Sequence, residues 1–224
     1  MKVSVIIPCF NEEKTLKKII DKVLRQNFIS EIIVVDDGSK DNSWEILKSI
    51  KNPKVKPYKH NKNQGKGTAI ITGIRKANYE YILIQDADLE YDPINYKSLF
   101  EKATQKTVIY GSRLKTKNNF AYFRTYMGNI VITLVGNILF NLKLTDSYTC
   151  YKLIPTKIAK SLKLCSKGFE IEAEITGKLA KRKVPIIEVP ISYKPRSYKQ
   201  GKKIKAKDAL KGFFTYLKIS FNCY

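Results

Sequence analysis

The densest chemistry in the sequence is Gln85-Asp86-Ala87-Asp88-Leu89-Glu90, three acids directly after the apolar run Tyr81–Ile84. Alternate residues of an extended chain share one face, so Asp86, Asp88 and Glu90 can converge. Such oxygen ligands suit a hard cation, and Mg2+ or Mn2+ on one or two carboxylates completes its shell with substrate phosphates. A metal so placed neutralises the charge that develops on a departing diphosphate. The competing reading is an acidic surface loop, less apt in a chain with 20 acids against 42 bases.

A second acidic pair, Asp36-Asp37, follows the run Glu31–Val35 and precedes Gly38. Two carboxylates there suit hydrogen bonds to a nucleotide base or ribose, and a plain β-turn with an aspartate cap is the alternative. Asn63-Gln64-Gly65-Lys66-Gly67 precedes a helical pattern and can bring backbone N–H groups and Lys66 to a phosphate, although the Walker spacing is missing. Only six of the 42 basic residues are arginine. Arg113 follows the run Thr107–Tyr110, Arg124 opens an uncharged stretch, and Arg196 lies in the basic segment Tyr193–Lys203. The guanidinium fork suits phosphate oxygens better than an ammonium does; a solvated surface charge is the competing reading for each. His60 is the only histidine and no Gly-x-Ser-x-Gly occurs, which argues against a histidine base or a hydrolase triad. A phosphate acceptor needs no protein base, since its second pKa is about 6. A hydroxyl acceptor needs one, and Glu172, Glu174 and Asp146 are available.

These residues need elements to position them. Val3–Ile7, Glu31–Val35, Val55–Tyr58, Tyr81–Ile84 and Thr107–Tyr110 read as short apolar strands. Between them Glu12–Leu24, Asn42–Ile50, Thr68–Ala77 and Pro93–Ala103 carry helical periodicity, the last opened by a proline. The alternation implies an α/β fold with a mostly parallel central sheet flanked by helices. Ligands then bind outside the carboxyl ends of the strands, where the acids lie. Further on, Phe169–Ala180 and Asp208–Ile219 read as helices and Ile186–Tyr193 as a strand interrupted by Pro190. The polar, basic stretch Lys194–Lys207 reads as mobile.

Residues 125–142 carry no charge, yet Thr125, Asn129, Thr133, Asn137 and Asn141 recur every fourth position opposite Ile130, Val131, Leu134, Val135, Ile138 and Leu139. This predicts an amphipathic helix, or two joined near Gly136, lying in a membrane interface. A core helix and a full span are the alternatives, the span disfavoured by asparagines at bilayer depth. The net charge of +22 is a lysine excess, read either as compositional or as attraction to an anionic membrane surface or nucleic acid. No nucleic-acid module accompanies it, so nucleic acid is not expected as a partner. Four scattered cysteines and no signal-peptide pattern suit a reducing cytoplasm.

The ordered set Val5–Glu13, Val35–Ser39, Asn63–Gly67, Gln85–Leu89 and Gly111–Arg113 resembles family 2 inverting glycosyltransferases of GT-A fold. Asp146–Lys152, Gly168–Glu174 and Val189–Arg196 look like the dolichol-phosphate mannosyltransferase branch. The resemblance implies one domain, with residues 1–115 as the nucleotide-sugar half and 116–224 as the acceptor and membrane-interface half. It implies that Pro8, Glu12, Asp36 and Asp37 hold the nucleotide, and that Asp86, Asp88 and Glu90 surround Mg2+ or Mn2+. Arg113, Arg124 and Arg196 would contact donor and acceptor phosphates. The implied donor is a nucleotide-sugar, GDP-mannose ahead of a UDP-hexose, and the acceptor a polyprenyl phosphate at the cytoplasmic membrane face. Attachment there is expected to be peripheral or through a membrane-protein partner. Gly128 departs from the branch, which can carry a serine near the acceptor phosphate. A family 2 transferase acting on a sugar hydroxyl is the alternative.

Overall fold

A computed structural model describes residues 1–118, 122–197, 201, 203 and 206–221. Among these residues the chain forms a seven-stranded sheet of order β3-β2-β1-β4-β6-β5-β7. The strands are β1 (Val3–Cys9), β2 (Ile29–Asp36), β3 (Val55–Lys59), β4 (Tyr81–Ile84), β5 (Val108–Ser112), β6 (Lys152–Pro155) and β7 (Ile186–Pro190). The helices are α1 (Leu16–Leu24), α2 (Ser43–Ser49), α3 (Lys66–Lys76), α4 (Tyr96–Glu101), α5 (Phe123–Phe140), α6 (Thr156–Ser161), α7 (Ile171–Lys181) and α8 (Ala206–Ser220).

β1 and β4 are buried throughout apart from half-buried Pro8, as apolar runs covered on both faces by helices must be. β1 pairs in parallel with β2 on one side and β4 on the other, and β2 pairs with β3. The chain thus winds outward from β1 and returns across it, leaving a crevice at the carboxyl ends of β1 and β4. α3 lies close over β1 because Gly73 carries no side chain; a Cβ there would sit 2.3 Å from Ile6 Cγ2.

The sequence pattern assigns no element between 143 and 168, where the structure has β6 and α6. β6 is antiparallel to both β4 and β5, inserted between them, and β7 pairs in parallel with β5. The helix expected from Pro93 opens as a 3-10 turn, Pro93–Asn95, before α4. β7 stops at Pro190, which has no N–H to continue the ladder.

α5 is one continuous helix through Gly136, where Tyr216 of α8 approaches so closely that a Cβ would meet its ring at 3.0 Å. It ends at Asn141, left-handed with φ 50°, after which the Asn137 side chain donates to Leu144 O (2.8 Å) and accepts from Leu144 N (3.0 Å). Its polar stripe points inward: Asn129 donates to Asp146 and Thr133 shares a bond with Ser147. Four large apolar residues point outward, with Phe123 74%, Val131 54%, Leu134 55% and Ile138 72% exposed, while Ile132 is buried and Val135, Leu139 and Phe140 pack inward beside it. Beyond Arg124 the helix therefore mixes polar and apolar contacts toward the protein and is uncharged and apolar toward the surroundings, unlike an ordinary surface helix with its charged outer face. Of the stretch 194–207 expected to be mobile, residues 198–200, 202, 204 and 205 lie outside the described residues, and Arg196 and Lys203 are bonded as set out below.

Candidate active site

The crevice opens into a cavity of about 820 Å3 bounded by the ends of β1 and β4, the Gly65–Lys66 turn, the first turns of α5, and Tyr193–Arg196. Gln85 sets the exit of β4: Tyr96 and Tyr151 donate to its Oε1 (2.7 and 2.8 Å) and its Nε2 donates to Asp86 O (3.0 Å). Asp86 and Asp88 both then face the cavity. Lys66 Nζ lies 2.8 Å from Asp86 Oδ1 and 3.4 Å from Glu172 Oε1, and Glu172 leans on the wholly buried Lys152. Burial alone would raise the Asp86 carboxyl, but Lys66 beside it holds it below its ordinary value. Asp88 is pushed up to about 7 by burial and by the charge of Asp86, against the pull of Arg196.

Arg196 crosses this acidic end. Its two Nη atoms each donate to Glu12 at 2.9 Å, Nη2 lies 2.9 Å from Asp88 Oδ2, and its backbone N–H donates to Glu90 at 2.8 Å. Lys203 also bonds Glu12, and Tyr193 donates to Glu90. Arg113 is held on another wall. Its Nε and Nη2 fork onto Asp146 at 2.7 and 2.8 Å, and its guanidinium lies near the rings of Tyr91 and Tyr193. Arg113 holds the buried Asp146 carboxyl down although burial alone would raise it. Arg124 is exposed at the cavity rim and pairs with no acid among the described residues.

The structure thus gathers Pro8, Glu12, Asp37, Lys66, Asp86, Asp88, Glu90, Arg113, Arg124 and Arg196 around one cavity. Asp36 stands apart: it is wholly buried, accepts from Ser39 N, and is not among the lining residues. Its Oδ2 has no partner among the described residues. Asp37 lines the cavity and also holds its neighbours in place, accepting from Gln64 N (3.0 Å) and Gly65 N (2.7 Å) and lying 2.7 Å from His60 Nδ1. The N–H groups of Gln64 and Gly65, expected at a phosphate, are therefore turned to Asp37. Gly65 and Gly67 are required by packing, since Cβ atoms there would meet the carbonyls of Lys167 and Ser166 at 2.3 and 2.2 Å. Glu90 is not joined with the other two acids into a metal cage; the described residues contain no cluster of three such ligands. Asp86 and Asp88 do suit the two-carboxylate mode in which phosphates complete a hard cation's shell.

Two of the three bases available to a hydroxyl acceptor are committed elsewhere. Asp146 serves Arg113, and Glu174 accepts from Cys165 N, Ser166 N and Lys178. Sequence reasoning missed Tyr91, Tyr193, Lys152 and Lys203. Tyr91 and Tyr193 sit beside motifs and could have been flagged as arginine platforms, whereas nothing local marks Lys152 as buried.

Fold and site together define a glycosyltransferase of GT-A type. A family model, "Glycosyl transferase family 2", matches residues 4–163, and the chain belongs to that family. It is 28% identical to a UDP-N-acetylglucosamine–dolichyl-phosphate N-acetylglucosaminyltransferase of Methanococcus voltae, covering 96% of this chain and 94% of that one. It is 29% identical to a dolichol-phosphate mannosyltransferase of Pyrococcus furiosus, over 97% of this chain but 62% of the relative. Glucosyl-3-phosphoglycerate synthase of Mycobacterium tuberculosis, solved with Mn2+, UDP and phosphoglyceric acid, superposes with a TM-score of 0.74 at 18% identity, over 98% of this chain and 78% of that one.

Proposed function

We propose that this glycosyltransferase moves a sugar from a nucleotide-sugar to a polyprenyl phosphate, working peripherally at the cytoplasmic face of a membrane. The observation that carries the reading is α5, which puts Arg124, Thr125 and Asn129 on the cavity wall and turns Phe123, Val131, Leu134 and Ile138 outward. A lipid acceptor has its phosphate at headgroup depth, where the rim arginine Arg124 would meet it. The two relatives named for dolichyl phosphate support the acceptor class.

Glu12 and the residues near Pro8 line the donor end, and Asp86 and Asp88 would hold Mg2+ or Mn2+. When bound, that ion neutralises the departing diphosphate. Arg196 stands beside the same carboxylates and can turn its fork to a phosphate as the nucleotide arrives. Arg113, fixed by Asp146 and two tyrosines, presents a constant positive charge to the cavity. Each carboxylate that lines the cavity is engaged by a basic side chain: Glu12 and Asp88 by Arg196, Asp37 by His60, Asp86 and Glu172 by Lys66, and Glu90 more distantly by Arg196. An acceptor that brings its own charged oxygen suits such a site, because it needs no proton removed. The inverting course is implied by the family resemblance, with the lipid phosphate attacking the anomeric carbon in line.

The test is transfer of radiolabel from a donor panel, headed by GDP-mannose and UDP-N-acetylglucosamine, into organic-extractable polyprenyl phosphate with and without Mn2+. Metal-dependent label in the lipid phase identifies the reaction and the sugar together. Donor binding without lipid label from any sugar, but with label in a hydroxyl acceptor, overturns it.

A further inference from the structure

α8 carries two adjoining stripes on its outer side. At about 100° per residue, Lys207, Lys211 and Lys218 fall within an arc of roughly 40°, and Leu210, Phe214 and Phe221 fall within the roughly 40° beside it. All six are exposed, with Leu210 at 62%, Phe214 at 57% and Phe221 at 72%. The only acid of the helix, Asp208, is buried, about 60–100° round the helix from the three lysines. The outward face of α5, by contrast, runs uncharged from Met127 to Ile138.

The two helices are one unit. Ile132 of α5, Ala173 of α7 and Tyr216 of α8 form a small core of their own beneath them, and Phe140 stacks edge-on to Tyr216 at 5.7 Å. Gly212 lets α8 seat on Tyr148, whose hydroxyl would lie 1.8 Å from a Cβ there. The orientation of the lysine stripe relative to the apolar face is therefore fixed by packing.

We infer that this face docks on an anionic lipid bilayer and that α8 is its charge-reading element. This rests on the reading of α5 as the membrane side of the enzyme, and adds to it a requirement on the lipid. α5 and the apolar stripe of α8 enter the acyl boundary, and the lysine stripe lies along the headgroups. A zwitterionic surface offers those lysines no net charge. A second copy of the chain is a poor occupant, because a two-fold contact across α8 would bring the lysine stripes together. The lysine excess of the whole chain acts in the same direction and brings the protein to such a surface quickly.

Each lysine held near an anionic surface strengthens binding about fivefold, so three give roughly a hundredfold. The test is sedimentation of the intact protein with neutral phosphatidylcholine vesicles and with vesicles one third phosphatidylglycerol, at low and high salt. The expected result is a roughly hundredfold preference for the anionic vesicles that collapses near 1 M salt, where the screening length is about 3 Å. Replacing Lys207, Lys211 and Lys218 together by Gln should cut the preference to within a few-fold. The same change at the exposed Lys51, Lys56 and Lys106 should leave most of it. Equal binding to both vesicles, or equal loss from both triple variants, overturns the inference. So does a dimer in light scattering that binds neither vesicle. Transfer to polyprenyl phosphate in uncharged detergent micelles is measured in parallel, so failure of the lipid preference is separable from failure of the proposed reaction.

Discussion

Replacing Asp146 by Asn keeps the size of the side chain and removes its charge. The carboxylate is wholly buried and accepts from Arg113 Nε, Nη2 and N and from Asn129 Nδ2, at 2.7–3.0 Å. The variant leaves the Arg113 guanidinium, whose side chain is only 13% exposed, without its counter-charge. Removing one partner of such a buried pair costs about 3–5 kcal/mol. For a protein of this size that lowers Tm by roughly 2–4 °C per kcal/mol, hence roughly 6–20 °C. Urea and thermal unfolding followed by circular dichroism read this directly. The paired carboxyl titrates below its unfolded value, so its contribution is complete at neutral pH and fades only as pH falls through the folded pKa. The difference between wild type and variant should therefore be flat from pH 6 to 8 and shrink in acid. A loss under 1 kcal/mol, or one that grows toward acid, would refute the assignment of Asp146 as the anchor of Arg113.

Gly67→Ala should cost several kcal/mol or prevent folding, because its Cβ would sit 2.2 Å from Ser166 O, whereas Gly128→Ala, with nothing within 4 Å, should raise stability by about 0.5–1 kcal/mol; unfolding midpoints compare them. Asn137→Leu makes α5 more apolar yet should destabilise by about 1–3 kcal/mol, since both polar groups of Leu144 lose their partner. Asp88→Asn should weaken the Mn2+-dependent part of nucleotide binding in calorimetry at least tenfold, while leaving metal-free binding within a few-fold.

The first half of the fold was legible because four of its five strands are apolar runs, β3 with its two lysines being the exception, and periodic helices separate them. β6 was not. Lys152-Leu-Ile-Pro155 is short, ends in proline and begins with a lysine whose burial depends on Glu172, twenty residues away. Tertiary partners, invisible locally, decide such a strand. The four-residue recurrence of Asn129, Thr133 and Asn137 foretold an amphipathic helix, and the structure shows which way it faces. At the site, the acids after β4 and the three arginines were readable from type and position alone. Asp37 lines the cavity as expected of a site residue, but its bonds to His60, Gln64 and Gly65 were not legible, because that loop lies some 25 residues on and only folding brings it near.

The most direct measurement of the central claim is a comparison of acceptors. Purified enzyme, Mn2+ and the donor selected by the panel are offered a polyprenyl phosphate and the matching polyprenol, and label entering the lipid phase is followed over time. Transfer is expected to the phosphate, giving an acid-labile sugar phosphate, and none to the alcohol, since no cavity carboxylate among the described residues lacks a basic partner. Efficient transfer to the alcohol, or to a sugar hydroxyl in place of either lipid, would contradict the central claim.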